Sequence, residues 1–221
     1  MEELRLYFRF VGIAFRSRLQ YRSDFLVGTV SVIALNIVNL SIIWVMVSRF
    51  RVLAGWTFWE IVMLYATFLL GHSVYSMLFW HLTRLEEDIV HGRFDQFLVR
   101  PCSPLIQFLG REVNYMGVAD VVLACAIFVL AFRNLGLAWS AGQWAFFAVA
   151  VLSGTVIESS IMWMMGSLAF WTGRSRSLRF VYWQFTGLSQ QYPMDVFGTW
   201  FRIFITGFLP VSFMNCNCSA V

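Results

Sequence analysis

Lysine is absent from the 221 residues, and all 16 cationic side chains are arginine. A phosphate-cradling Gly-x-x-x-x-Gly-Lys-Ser/Thr loop needs its lysine, so no such nucleotide site is built into this chain. Charge of either sign is scarce as well, at 13%, about half the share of a soluble globular protein. So few charges cannot cover a water-soluble surface. The arginines are scattered between long uncharged runs rather than gathered into a basic stripe, which excludes phosphate tracking along a nucleic acid despite the net charge of +4. Cys102, Cys125, Cys216 and Cys218 are too few and too unevenly spaced for a disulfide framework. Cys216-Asn217-Cys218 is read as incidental, and no metal site is expected. Residues 1–24 carry five arginines and no continuous apolar core, so no cleaved signal is expected there either.

What the chain does have is oil. Apolar residues make up 59%, with 23 Phe and 10 Trp, rings that are costly to leave in water unless lipid or another subunit covers them. A hydrocarbon core takes about 20 apolar residues of helix. Long apolar runs with few or no charges therefore predict an all-α, polytopic membrane bundle, a single transmembrane domain with spans over about 25–48, 61–80, 113–132, 142–171 and 178–190. The fourth run is long enough, roughly 43 Å as a helix, to require tilt or protrusion. Residues 191–215, with Pro193, Gly207 and Pro210, are read as broken or re-entrant helices, which membranes tolerate only where protein or a cavity surrounds them.

Orientation follows from the arginines. With a cytoplasmic N-terminus, twelve of the sixteen fall on the inner side, as the positive-inside rule requires. Leu4, Phe8, Val11 and Phe15 form one stripe of 1–24, beside Arg5, Arg9 and Arg16. An interfacial helix is expected, its rings in the acyl boundary and its guanidinium groups on lipid phosphates. Two acids, Asp120 and Glu158, fall inside predicted spans, where a carboxylate normally faces a bundle interior or a cavity. Either is a candidate for the substrate path. Glu158 would contact a cationic substrate or bond a neighbouring helix, and Asp120, nearer a helix end, would reach the interface or pair with an arginine. His72, His81 and His91 have no metal-ligand spacing with carboxylates, and a lone membrane histidine is more often a hydrogen-bonded packing residue.

The stretch 81–112 differs from the rest, with nine charged residues among short apolar runs. It is read as a cytoplasmic loop. Leu82, Leu85 and Ile89 recur at helical spacing with Glu86, Glu87 and Asp88 among them, Gly92 permits a sharp exit, and Pro101 and Pro104 forbid a continuous helix into the third span. A short helix, a turn and a second short element are implied. Such an element suits docking on a soluble partner; a plain solvated loop is the alternative.

The pattern Gly92-x-Phe94-Asp95-x-x-Leu98-x-Arg100-Pro101-x-x-Pro104-Leu105 resembles the signature of bacterial permease subunits of ATP-binding-cassette transporters of the type-two, exporter-like class. Tyr7-Phe8-Arg9, Arg16-x-x-Leu19-x-Tyr21-Arg22, Tyr192-Pro193-Met194, Arg202, Pro210 and Phe213-Met214-Asn215 agree with it in order and spacing. The resemblance implies a six-span permease with a coupling helix between the second and third spans and re-entrant helices before the last. Carried onto this chain, the coupling residues are Arg84, Glu86, Glu87, Asp88, Gly92, Phe94, Asp95 and Arg100. It also implies permeases working in pairs, identical or related, with separate ATPase subunits that bind ATP and Mg, so that this chain holds no cofactor and is no enzyme. The family's final span is expected to be missing after Asn215. A membrane-embedded assembly or interaction protein without a transport path explains the spans and the charged loop equally well, whereas an intramembrane enzyme lacks a converging nucleophile, base and orienting group.

Overall fold

The computed structural model describes residues 22–50, 56–99, 104–110, 114, 116–173, 176–191 and 200. Within these the chain is a helical bundle, and four helical stretches are long and apolar enough to cross a membrane. The first is α1 (Arg22–Phe50); the second is α2 (Phe58–Phe79), prolonged through a 3-10 segment (Trp80–Arg84) into α3 (Leu85–Val90). Two short helices, α4 (Asp95–Leu98) and α5 (Pro104–Leu109), lead to α6 (Met116–Leu135). The fourth stretch is α7 (Ala141–Ser167) with α8 (Ala169–Thr172), and α9 (Arg176–Gln191) follows.

Local chemistry sets the helix limits where hydropathy places them slightly differently. Helix α2 starts three residues before the predicted 61 because Glu60 belongs to its first turn, where its carboxylate accepts a hydrogen bond from the Thr57 backbone N–H at 2.6 Å. The charge that ends the apolar run is here the helix's cap. Gln143 does the same for α7, accepting from the Ser140 N–H at 2.8 Å. Helix α6 runs past the predicted 132 to Leu135, since Arg133 in its last turn complements the helix dipole and Gly136, at φ +63°, supplies the left-handed stop.

Two further differences matter for function. The short helix, turn and second short element implied for the charged stretch are α3, the turn at Gly92 and α4, but no loop separates α3 from the second span, which continues into it through a segment tightened at Trp80–Arg84; such 3-10 insertions often mark hinges. The stretch read as a fifth span, 178–190, lies in α9, which is amphipathic rather than apolar throughout and is not among the four spanning candidates. Its buried residues Arg179, Tyr182 and Thr186 follow at helical spacing, so one stripe packs inward and the rest faces out. The interfacial helix over 1–21, the re-entrant helices after Gln191 and the missing final span lie outside the described residues.

Helix α2 is the centre of the bundle. Of its most apolar stretch 72% is buried inside the protein, against 11% for α1. It packs on α6 and α7, with Ile61, Tyr65, Ala66 and Leu69 meeting Ala124, Ile127, Phe128 and Ala131 in one apolar cluster. A second cluster, Phe68, Tyr75, Leu82, Leu85, Phe97, Phe108, Met162 and Tyr182, joins the lower half of α2 to α3, α4, α5, α7 and α9. In contrast, Leu26, Val30, Leu35 and Trp44 of α1 and Val149, Leu152 and Val156 of α7 are exposed, surfaces for lipid or another subunit.

Candidate coupling interface

Consecutive helical residues diverge by about 100°, so three adjacent acids cannot share one face. On α3, Glu86 and Asp88 are buried, at 7% and 3% exposure, while Glu87 is exposed. Glu86 accepts a hydrogen bond from Arg179 Nη2 of α9 at 2.5 Å, and Asp88 accepts one from Arg93 Nε at 2.8 Å across the following turn. Only Glu87 of the three faces outward, with Arg176 3.8 Å away. Arg179, which holds the element to α9, is 93 residues distant in sequence, and nothing local in the sequence points to it.

The rest of the element is anchored by packing. Leu85 fills the space over Gly166 of α7, where an added Cβ would come within 2.9 Å of a Leu85 methyl. Gly92 sits at φ +67°, the left-handed turn that releases α3. Phe94 is half-buried, its ring centroid 5.9 Å from that of Phe97, 6.0 Å from Phe108 and 5.8 Å from Phe170. Asp95, exposed, opens α4. Arg100 lies outside the described residues. The outward surface thus includes Arg84, Glu87, Asp95 and the apolar Val90, Leu98 and Val99, the last two 61% and 85% exposed. Charged residues are interleaved there with exposed aliphatic ones, on a base fixed to other helices.

A family model described as "ABC-2 family transporter protein" matches residues 33–217. The chain belongs to this ABC-2 transporter family. It is a multi-pass membrane permease component of an ABC transporter, a class that works with an ABC ATPase. No curated protein and no solved structure matches it.

Some intramembrane polar groups of the permease bond between helices. His72 Nδ1 of α2 lies 2.8 Å from Glu158 Oε1 of α7, and the imidazole is surrounded by Phe68, Tyr75 and Trp183 at 5.6–6.1 Å between ring centroids. Glu158 is 1% exposed and bonds a neighbouring helix, one of the two roles open to it from the sequence. Thr155, one turn earlier, donates to the Gly71 carbonyl at 3.0 Å, so the α2–α7 contact is stitched twice. Asp120 is half-buried, with Asn36 of α1 as a side-chain hydrogen-bond partner. Asn36 also accepts from the Tyr65 hydroxyl at 2.7 Å, and Asn39 donates to that hydroxyl at 3.3 Å. The two asparagines, three residues apart in an apolar run, were the sequence signal for this seam.

Such interhelical bonds in membranes contribute about 0.6–1.7 kcal/mol. His72→Phe, which keeps the ring packing and strands the Glu158 carboxylate, is accordingly expected to lower stability by about 1–2 kcal/mol. His72→Phe combined with Glu158→Leu should regain most of that loss. Thermal unfolding of the detergent-solubilised permease measures both, and an unchanged midpoint in the single variant would contradict the pairing.

Proposed function

We propose that the permease is the transmembrane subunit of an exporter in the bacterial inner membrane, with its N-terminus cytoplasmic, and that it couples to a separate ATPase through Arg84–Leu98. ATP and Mg are bound and ATP is hydrolysed on that partner; the permease supplies the path and the lever. A second permease copy or a related chain completes the path against the exposed apolar faces of α1 and α7, with membrane lipid around the rest.

The observation that carries this reading is mechanical continuity. The outward residues Arg84 and Glu87 stand on a helical column that runs without a loop into α2, the most buried span. Glu86 ties the same column to α9, and Leu85 ties it to α7. Packed interiors shift between discrete arrangements rather than deform continuously, so a push on α3 repositions α2, α7 and α9 together. The 3-10 segment at Trp80–Arg84 is the place where the column bends.

The buried state of Glu86 and Asp88 dictates the test. Removing all three acids would damage the fold as well as the interface, whereas Glu87→Arg with Asp95→Arg alters only exposed side chains. Like charges set against a complementary surface suppress docking by several kcal/mol. The double variant is expected to lose at least about tenfold in ATPase-subunit binding, and with it substrate-stimulated hydrolysis, while unfolding at the wild-type temperature. Co-purification at an undiminished subunit ratio, with stimulated hydrolysis intact, would reject the assigned interface.

A further inference from the structure

Helices α6 and α7 both pack on α2, and they share an open groove of about 570 Å³. Its walls are residues of Cys125 to Arg133 on α6 and of Trp144 to Leu152 on α7, and Leu70 of α2 also lines it. The lining contains one charge, Arg133, and no carboxylate. Arg93, Arg176 and Arg179 all stand against acidic side chains, whereas the guanidinium of Arg133 is exposed and has no acceptor among the described residues. An apolar groove with a free cation at one end fits an amphipathic anion.

The place of the groove along the span indicates which anion. Gly117, near the start of α6, abuts Met77 of α2, close to α3. Arg133 is about 24 Å further along the helix, at the opposite end of the bundle. Trp139 and Trp144 lie beside that end with ring centroids 5.1 Å apart, and tryptophan with arginine at a span's end is the composition of the headgroup layer. From Arg133 to Cys125 the groove follows about 12 Å of helix, most of one leaflet of a hydrocarbon core roughly 30 Å thick. A partner's span would cross both leaflets. An acyl chain ends within one.

We propose that this groove seats an acyl chain of an anionic phospholipid, whose phosphate rests on the Arg133 guanidinium. The chain lies against Phe128, Phe147 and Val151 and so bridges α6 and α7. A zwitterionic lipid fits the same groove, but its ammonium finds no carboxylate in the lining, so selectivity comes from the headgroup. The site is remote from α3. Lipid retention can therefore fail while ATPase binding persists, and the coupling reading would then stand.

The full chain, purified in the complex it forms in its own membrane and stripped of lipid in detergent, is to be titrated with phosphatidylglycerol or phosphatidylcholine. Native mass spectrometry reads retained lipid, and the rate at which N-ethylmaleimide alkylates Cys125, an exposed thiol in the groove wall, reads occupancy. Wild type is expected to retain one phosphatidylglycerol per permease and to lose Cys125 reactivity as the lipid binds. Arg133→Gln should weaken phosphatidylglycerol about tenfold relative to phosphatidylcholine. Ala148→Trp, which plugs the groove from an exposed position, should abolish retention of both. Both substitutions replace exposed side chains, so the variants are expected to unfold at the wild-type temperature. Equal retention in wild type and both variants would overturn the proposal, as would phosphatidylcholine held as tightly as phosphatidylglycerol. So would a Cys125 that stays unreactive in lipid-free paired permeases and reacts only once they dissociate, which would assign the groove to a second copy.

Discussion

Arg179→Met, with Glu86 left in place, is expected to destabilise the permease by about 3–5 kcal/mol. Methionine keeps most of the arginine stem, so lost packing is a minor part of the effect. What changes is that Glu86, 7% exposed, keeps a negative charge with its buried partner removed. The ion pair itself need not be strongly stabilising, because desolvation of both groups offsets much of their attraction. Arg179→Met with Glu86→Leu should therefore recover most of the stability that the single variant loses. Asp88–Arg93 provides the internal contrast: Arg93 is half in solvent and a glutamine there can still donate to Asp88, so Arg93→Gln should lower stability by less than Arg179→Met does. Unfolding midpoints in one detergent, read for all three variants, check the ranking. A single variant as stable as wild type, or a double no better than the single, would show that the joint carries no buried charge.

That contrast also explains what sequence reading can and cannot reach here. Charge-free runs of about 20 residues leave few structures other than membrane helices, and the order of short motifs around them was enough to name the family. The location of the element around Arg84–Leu98 was legible for the same reason, since charge clusters stand out in an oily chain. Its inner and outer faces were only half legible. Helical geometry alone excludes a common face for Glu86, Glu87 and Asp88, but which one faces outward depends on Arg179 and Arg93, and hydropathy carries no information about partners 93 residues apart. Glu60 and Arg133 mislead for a related reason. A charge in the first or last turn belongs to the helix through capping and the dipole, whereas a hydropathy run ends on it. In α9 the missing information is the period: its apolar residues are interleaved with Arg179, Gln184 and Thr186, which a run-length reading passes over and a 3.6-residue pattern separates into faces.

Gly117 and Gly166 make a second pair whose outcomes should diverge. At Gly117 an added Cβ would lie 2.6 Å from both the backbone N and Cα of Met77. Neither atom can give way without moving α2, the central helix, and it is the small residue that lets α2 and α6 approach so closely. Gly117→Val is thus expected to lower stability by about 3 kcal/mol, at the upper end of overpacking effects, and Gly117→Ala by somewhat less. At Gly166 the obstacles to a Cβ are instead atoms of one side chain, a Leu85 methyl at 2.9 Å that can rotate, and its Cβ and Cγ at 3.1 and 3.2 Å that need shift only by a few tenths of an ångström. Gly166→Ala should lower stability by less than about 1 kcal/mol, helped by the better helix propensity of alanine. Its effect should appear elsewhere. Leu85 is the contact through which α3 presses on α7, so displacing it loosens the lever while leaving the bundle folded. The proposed coupling predicts that Gly166→Ala binds the ATPase normally yet loses several-fold of its substrate-stimulated hydrolysis, and that Leu85→Val beside it, which removes the methyl in conflict, restores part of that stimulation. If Gly166→Ala hydrolyses ATP as wild type does, the α3–α7 contact transmits no force, and only the tie through Glu86 and Arg179 to α9 is left to carry it.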